Sequence, residues 1–238
     1  IRCVIFGVGD TLYNSELLRQ LNDREKLELE ELRKAGYHFS AKAYLVASEK
    51  VYKNWDKLKF KNRKQFISYY VQHYLGIKKP SWALARKIYK AFSSLCPRFT
   101  PEQMFSPNAR KIIKWLAKNG YYLGIVSDAH TKDGKKWLGK VKLDKHFHHI
   151  SISHEIGYEK NTSKPFQLFL KKMQQKNKIN LEPQECLVVD DSQGACRNAQ
   201  SIGMRVALYD PFKRKKLNFF PEYRIHNLLQ IKKILEKG

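Results

Sequence analysis

The sequence predicts an α/β fold, a doubly wound parallel-sheet core with an inserted α-helical cap. Three observations lead there. Short apolar runs alternate with helical patterns through residues 101–238, a similar apolar run stands at residues 1–6, and the stretch between, about 14–100, is helical in pattern with no strand alternation. Alternating strands and helices imply a parallel sheet covered on both faces, because each crossover lays a helix against the sheet. The helical block interrupts that alternation after a single strand, which marks it as an insertion. The expected division is 1–13 with 101–238 as core, and 14–100 as cap.

The elements follow in order. Residues 1–6 form a short buried strand, and a Gly-containing turn follows over 7–13. Residues 15–34 read as a helix, with Leu17, Leu18, Leu21, Leu29 and Leu32 set among alternating charges and Gly36 as the stop. Three further helical patterns cover about 41–56, 62–75 and 81–95, before a connection through Pro97, Pro101 and Pro107. Residues 109–119 are a helix ending at Gly120, and 121–127 a strand. Residues 141–147 lead into a short strand at 150–153. A helix at 166–176, a strand at 186–189, a helix at 195–202 stopped by Gly203, a strand at 205–209 and a last helix at 228–236 complete the chain.

The 238 residues, 42% of them hydrophobic, suffice for one sizeable core. No run approaches the roughly 18 unbroken apolar residues of a membrane span, and the first apolar run is too short for a signal-peptide core. No membrane partner is expected. Cys3, Cys96, Cys186 and Cys196 form no CxxC pair; Cys3 and Cys186 lie in apolar runs and read as buried, reduced thiols, which suits the cytoplasm. The charge is the unusual total: 46 Lys and Arg against 22 Asp and Glu, a net +24. Residues 1–50 hold eight basic and eight acidic residues, so the whole excess arises in 51–238.

In an open parallel sheet the reactive groups sit at the carboxyl ends of the strands. Those ends carry four short motifs: Val4-Ile5-Phe6-Gly7-Val8-Gly9-Asp10-Thr11-Leu12; Leu123-Gly124-Ile125-Val126-Ser127-Asp128; Gly157-Tyr158-Glu159-Lys160, ahead of Phe166; and Leu187-Val188-Val189-Asp190-Asp191-Ser192, followed by Gly194, Ala199 and Gly203-Met204. The ordered set, with a cap-sized insertion in the first gap, resembles the haloacid dehalogenase superfamily in its helical-cap branch, over essentially the whole chain. The resemblance implies a HAD-like Rossmannoid core. It also implies a carboxylate nucleophile after the first strand, a second acid two residues on, a Ser or Thr and a Lys that hold the transferring oxygens, and acids of the fourth motif that bind Mg²⁺.

Carried onto this chain, the nucleophile falls at Gly7, four residues before Thr11, and the general acid at Gly9. Asp10 is one residue beyond the acid position and reads as a turn acid. Ser127, Lys160, Asp190 and Asp191 match the other motifs, with Lys164 as a rival for Lys160 because it directly precedes Pro165. Removing the nucleophile of a covalent enzyme can cost on the order of a million-fold in turnover. The expectation is therefore a catalytically inactive member with no catalytic residue and no small-molecule substrate. Lys160 beside Asp190 and Asp191 reads as an ion pair filling the old pocket, with weak Mg²⁺ binding at the two aspartates as the alternative and no other cofactor.

The excess charge falls into tracts: Lys57, Lys59, Lys61, Arg63 and Lys64 around Phe60; Lys132, Lys135, Lys136, Lys140 and Lys142 around Trp137; and Lys213, Arg214, Lys215 and Lys216 before Phe219. Lys and Arg contact phosphates with little sequence preference. The leading expectation is a binder of structured RNA, with ribosomal RNA and neighbouring ribosomal proteins first among candidates, by analogy with basic dehalogenase-like domains recruited to ribosomes, archaeal ones included. A residual Mg²⁺-dependent phosphatase using Asp10 or an activated water is the second reading. A protein-binding scaffold, favoured by the neutral first 50 residues, is the third.

Overall fold

The computed structural model describes residues 1–13, 105–128, 138–139, 142–213 and 216–236, with short pieces at 30, 33–34, 36, 38, 68–69, 72 and 81–86. The chain divides into two compact units, Ile1–Ser15 with Pro101–Gly238, and Glu16–Thr100. The cap helices expected at 15–34, 41–56, 62–75 and 81–95 fall almost wholly outside the described residues. Among the described residues no helix is long and apolar enough to cross a membrane.

The first unit is built on six parallel strands: β1 (Cys3–Phe6), β2 (Tyr122–Ser127), β3 (His149–Ile152), β4 (Cys186–Asp190), β5 (Arg205–Tyr209) and β6 (Tyr223–Ile225). Their spatial order is β3-β2-β1-β4-β5-β6. Between them run α1 (Ala109–Lys118), a four-residue α2 (Ser153–Ile156), α3 (Lys164–Asn177) and α4 (Gln193–Gln200), and α5 (Gln230–Leu235) follows β6. The period of two along each strand sorts side chains to opposite faces. From β1, Val4 and Phe6 join the cluster that includes Ile112, Ile113 and Leu116 of α1 and Ile231 and Ile234 of α5. Cys3 and Ile5 join Phe166, Phe169 and Met173 of α3 and Ala195 and Ala199 of α4. Strands buried on both faces need apolar side chains along their length, which is why β1 and the first four residues of β4 read as unbroken apolar runs.

Helix ends follow local chemistry. Pro165 sits in the first turn of α3, where its missing N–H costs nothing. The Ser192 hydroxyl caps α4, accepting from the Ala195 N–H at 3.3 Å. The chain winds from β1 out to β3, then returns to place β4 on the other side of β1. The strand order thus reverses between β1 and β4, and the crevice at their carboxyl ends is the topological switch point.

Candidate functional site

Backbone hydrogen bonds bring the first and fourth motifs together at that point. β1 and β4 pair in register from Cys3–Cys186 to Phe6–Val189, and the Gly7 N–H donates to the Val189 carbonyl at 2.9 Å. Thr11, fully buried, then bridges the two loops. Its Oγ1 accepts from the Asp191 N–H at 3.0 Å and donates to Asp191 Oδ1 at 3.2 Å.

Asp190, the last residue of β4, is 1% exposed. Its Oδ2 accepts from Lys160 Nζ at 2.6 Å and its Oδ1 from the Ser192 N–H at 2.9 Å. Lys160 is held at its backbone as well: its N–H donates to Asp128 Oδ1 at 2.9 Å and its carbonyl accepts from Asn198 Nδ2 at 2.8 Å. Burial pulls the Lys160 ammonium towards losing its proton, but Asp190, Asp128 and Asp191 together outweigh it and hold its pKa above the ordinary lysine value. It is a charged lysine in a buried, carboxylate-lined place.

The structure thus gathers Gly7, Lys160, Asp190 and Asp191 at the switch point. Ser127 ends β2, the strand beside β1, and is half-buried. Lys160 and not Lys164 meets the fourth motif; Lys164 is exposed at the start of α3. Gly9 is exposed, and Asp10 is half-buried in a left-handed turn with φ 52°. Of the basic tracts, Lys142, Lys213 and Lys216 are exposed, whereas Lys57, Lys59, Lys61, Arg63, Lys64, Lys132, Lys135, Lys136, Lys140, Arg214 and Lys215 lie outside the described residues. Asp128 and Ser192 stand within the second and fourth motifs, where the resemblance gave them no role; Asn198 gives no sequence signal.

The haloacid dehalogenase-like hydrolase family profile matches residues 41–209. The chain belongs to that family. The match begins after the first motif, so Gly7 and Gly9 precede it. A glyceraldehyde 3-phosphate phosphatase of Pyrococcus furiosus is 29% identical over 136 residues, 55% of this chain and 54% of that protein. One of Pyrococcus abyssi is 30% identical over 104 residues, 43% of this chain and 41% of that protein. The chain spans about half the length of these curated relatives or less. The magnesium-bound HAD-hydrolase YfnB of Bacillus subtilis shares the fold, with a TM-score of 0.70 at 19% identity over 98% of each chain.

These relatives overturn the expectation of an inactive, RNA-binding, ribosome-associated protein with no small-molecule substrate. The family is one of hydrolases, and the curated relatives are phosphatases named for a small phosphorylated aldehyde. The expectation of RNA rested on net charge, which bears on solubility and association and names no partner. The expectation of inactivity rested on two positions of a larger site.

Proposed function

We propose that the protein is a Mg²⁺-dependent hydrolase of a small phosphate monoester, in which water attacks phosphorus in place of a chain carboxylate. The buried Lys160 ammonium amid Asp190, Asp191 and Asp128 at the switch point carries this reading. It is a fixed cation set among hard oxygen donors, in a chain of the hydrolase family.

The donors suit the metal. Mg²⁺ takes oxygen ligands and binds through one or two carboxylates, with waters and substrate phosphate completing its shell. Among the described residues no group of three or more His, Cys, Asp or Glu side chains is placed to hold a metal, so two carboxylates at most are expected. Asp190 is committed to Lys160 and the Ser192 N–H. Asp191, oriented by Thr11, would be the principal ligand. The bound ion would neutralise phosphate charge.

The chain's own residues supply the rest. Lys160 Nζ and Ser127 Oγ bind the non-bridging phosphoryl oxygens. Asp10 is the carboxylate within the loop 7–13 and takes the proton of the attacking water. A water oxygen–phosphorus bond forms as the bond to the ester oxygen on the opposite side breaks; the leaving alkoxide takes a proton from solvent, and Asp10 returns its proton to solvent. With one displacement and no covalent intermediate, the configuration at phosphorus inverts.

The test is release of inorganic phosphate from glyceraldehyde 3-phosphate and a panel of small monoesters, with and without Mg²⁺. Turnover that needs Mg²⁺, drops about 100-fold or more in Asp191→Asn, and inverts a chiral phosphate ester is the expected outcome. No release above the uncatalysed rate from any ester in the panel sinks the reading, and net retention sinks the water-attack mechanism.

A further inference from the structure

Gln193, Arg197 and Gln200 stand at helical spacing on one face of α4, and each grips the backbone of the segment 216–220. Gln193 Nε2 donates to the Lys216 carbonyl at 2.8 Å, and its Oε1 accepts from the Asn218 N–H at 2.9 Å. Arg197 Nη2 donates to the Asn218 carbonyl at 3.2 Å and to Asn218 Oδ1 at 2.6 Å. Gln200 Nε2 donates to the Phe220 carbonyl at 3.4 Å. The segment is laid along the helix by its backbone, and its side chains then divide. Phe219 packs against the core cluster that holds Ala195 and Ala199 of α4, with the Arg197 guanidinium 5.8 Å from its ring centre. Phe220 projects the other way and is 93% exposed, and Leu217 is exposed too, at 37%. A pinned backbone leaves Phe220 no slack to fold back, so its ring stays in water at a cost that burial elsewhere would remove.

Charge on this strip is of one sign. Lys213 and Lys216 are exposed, Arg214 and Lys215 stand between them in the sequence, and no Asp or Glu occurs in 193–200 or 211–221. Glu222, next along the chain, is tied to Arg205. Bare apolar side chains beside a run of cations fit a phase that is anionic at its face and apolar beneath. Binding to a lipid surface combines these two terms, apolar area buried and attraction to anionic headgroups. A second copy of this chain would bring the same charge of +24 and be repelled. A protein partner needs a hole shaped to a projecting ring, whereas lipid accepts one of any shape.

We infer that Lys213, Lys216, Leu217 and Phe220 form a docking surface for an anionic membrane. The two apolar side chains enter the headgroup layer, and the lysines meet the lipid anions around them. The protein lies on such a surface and does not span it. Gln200 ends α4, and the chain goes on from there to the amino end of β5, so Phe220 lies towards the amino ends of the strands. The switch point is at the other end of the sheet and stays clear of the lipid.

Vesicle co-sedimentation of the full chain tests this, using phosphatidylcholine alone and phosphatidylcholine with about one third phosphatidylserine, in about 0.15 M salt. Binding to the anionic vesicles and not to the neutral ones is expected. A basic protein adheres to anionic lipid by charge alone, so the deciding variant keeps the charge. Leu217→Ser with Phe220→Ser, both at exposed positions, should fold as the parent does and bind about tenfold or more weaker. Lys213→Gln with Lys216→Gln should lose about tenfold as well. No binding to either vesicle, or equal binding by the serine variant and the parent, overturns the inference. So does failure on vesicles together with saturable binding to polyglutamate that the serine variant loses, which would assign the strip to an acidic protein.

Discussion

Thr11 shows how much one hydroxyl can carry. It donates to Asp191 Oδ1 and accepts from the Asp191 N–H, and it is fully buried. Valine has nearly the same shape without the oxygen, so Thr11→Val leaves both Asp191 groups short of a partner. A loss of about 1–3 kcal/mol in urea unfolding is expected, together with weaker Mg²⁺ binding by calorimetry, because the carboxylate loses the bond that aims it. Unchanged Mg²⁺ affinity would remove Asp191 from the metal site. Of the candidates named from sequence, the structure brings Lys160, Asp190 and Asp191 together. Strand ends gave the motifs, because a parallel sheet leaves only its carboxyl ends open to a ligand, and the family resemblance then picked Ser127, Lys160, Asp190 and Asp191 out of them. What could not be read was that the Asp190 carboxylate lies against Gly7. That depends on which rotamer a buried carboxylate adopts, a packing result that no local spacing encodes.

Between elements, β2 and α3 pack closely at Gly124. A Cβ on Gly124 would stand 2.0 Å from Cζ of Phe169, a fully buried ring. Gly124→Ala should therefore cost about 1–3 kcal/mol or more by forcing the ring aside, and Phe169→Leu in the same chain should recover part of it. Gly9→Ala, facing open space, should stay within about 0.5 kcal/mol of the parent. The start of β3 adds a pH dependence. The Nδ1 of His148 accepts from the Leu123 N–H at 3.1 Å, which only an unprotonated ring nitrogen can do. Burial, then the nearby Lys176 ammonium, lowers its pKa. The unfolded chain therefore binds a proton that the folded one refuses, and stability falls as pH drops through the unfolded value of about 6.5. Urea midpoints at pH 5 and pH 7.5 measure the slope, and His148→Gln should flatten it. A slope unaltered by that substitution would assign the effect elsewhere, His146 being the other histidine with a lowered pKa. The strands and helices that sequence located are those with a clear apolar run or period: β1 to β5 and the helices α1, α3, α4 and α5. β6 was missed because three residues with Arg224 at the centre show no period. It is held by position, with Arg224 Nη2 donating to Asp210 Oδ2 at 2.5 Å. The short α2 was missed because four residues are too few for a helical repeat to register.

At the scale of the whole chain, the net charge of +24 must act somewhere. It acts first on the protein itself. Like charges repel in the compact state more than in the expanded one, and salt shortens their reach to about 10 Å at 0.1 M. The melting temperature should rise between about 20 mM and 500 mM sodium chloride; a fall would mean that attractive pairs, such as Arg205 with Glu222 and Arg2 with Glu185, outweigh the repulsion. The same field extends outward. A phosphate monoester is an anion, and a strongly positive molecule raises the rate at which it arrives, in a way that weakens steeply with ionic strength. Capture and chemistry then separate cleanly. Under the hydrolase reading, kcat/KM for the preferred ester should fall as sodium chloride rises at fixed Mg²⁺. The value of kcat should hold, because the buried Lys160–Asp190 pair lies inside the core and is screened little. A parallel fall in both constants would show that salt disturbs the site itself. A flat kcat/KM would show that the charge is turned away from the switch point and contributes nothing to substrate capture.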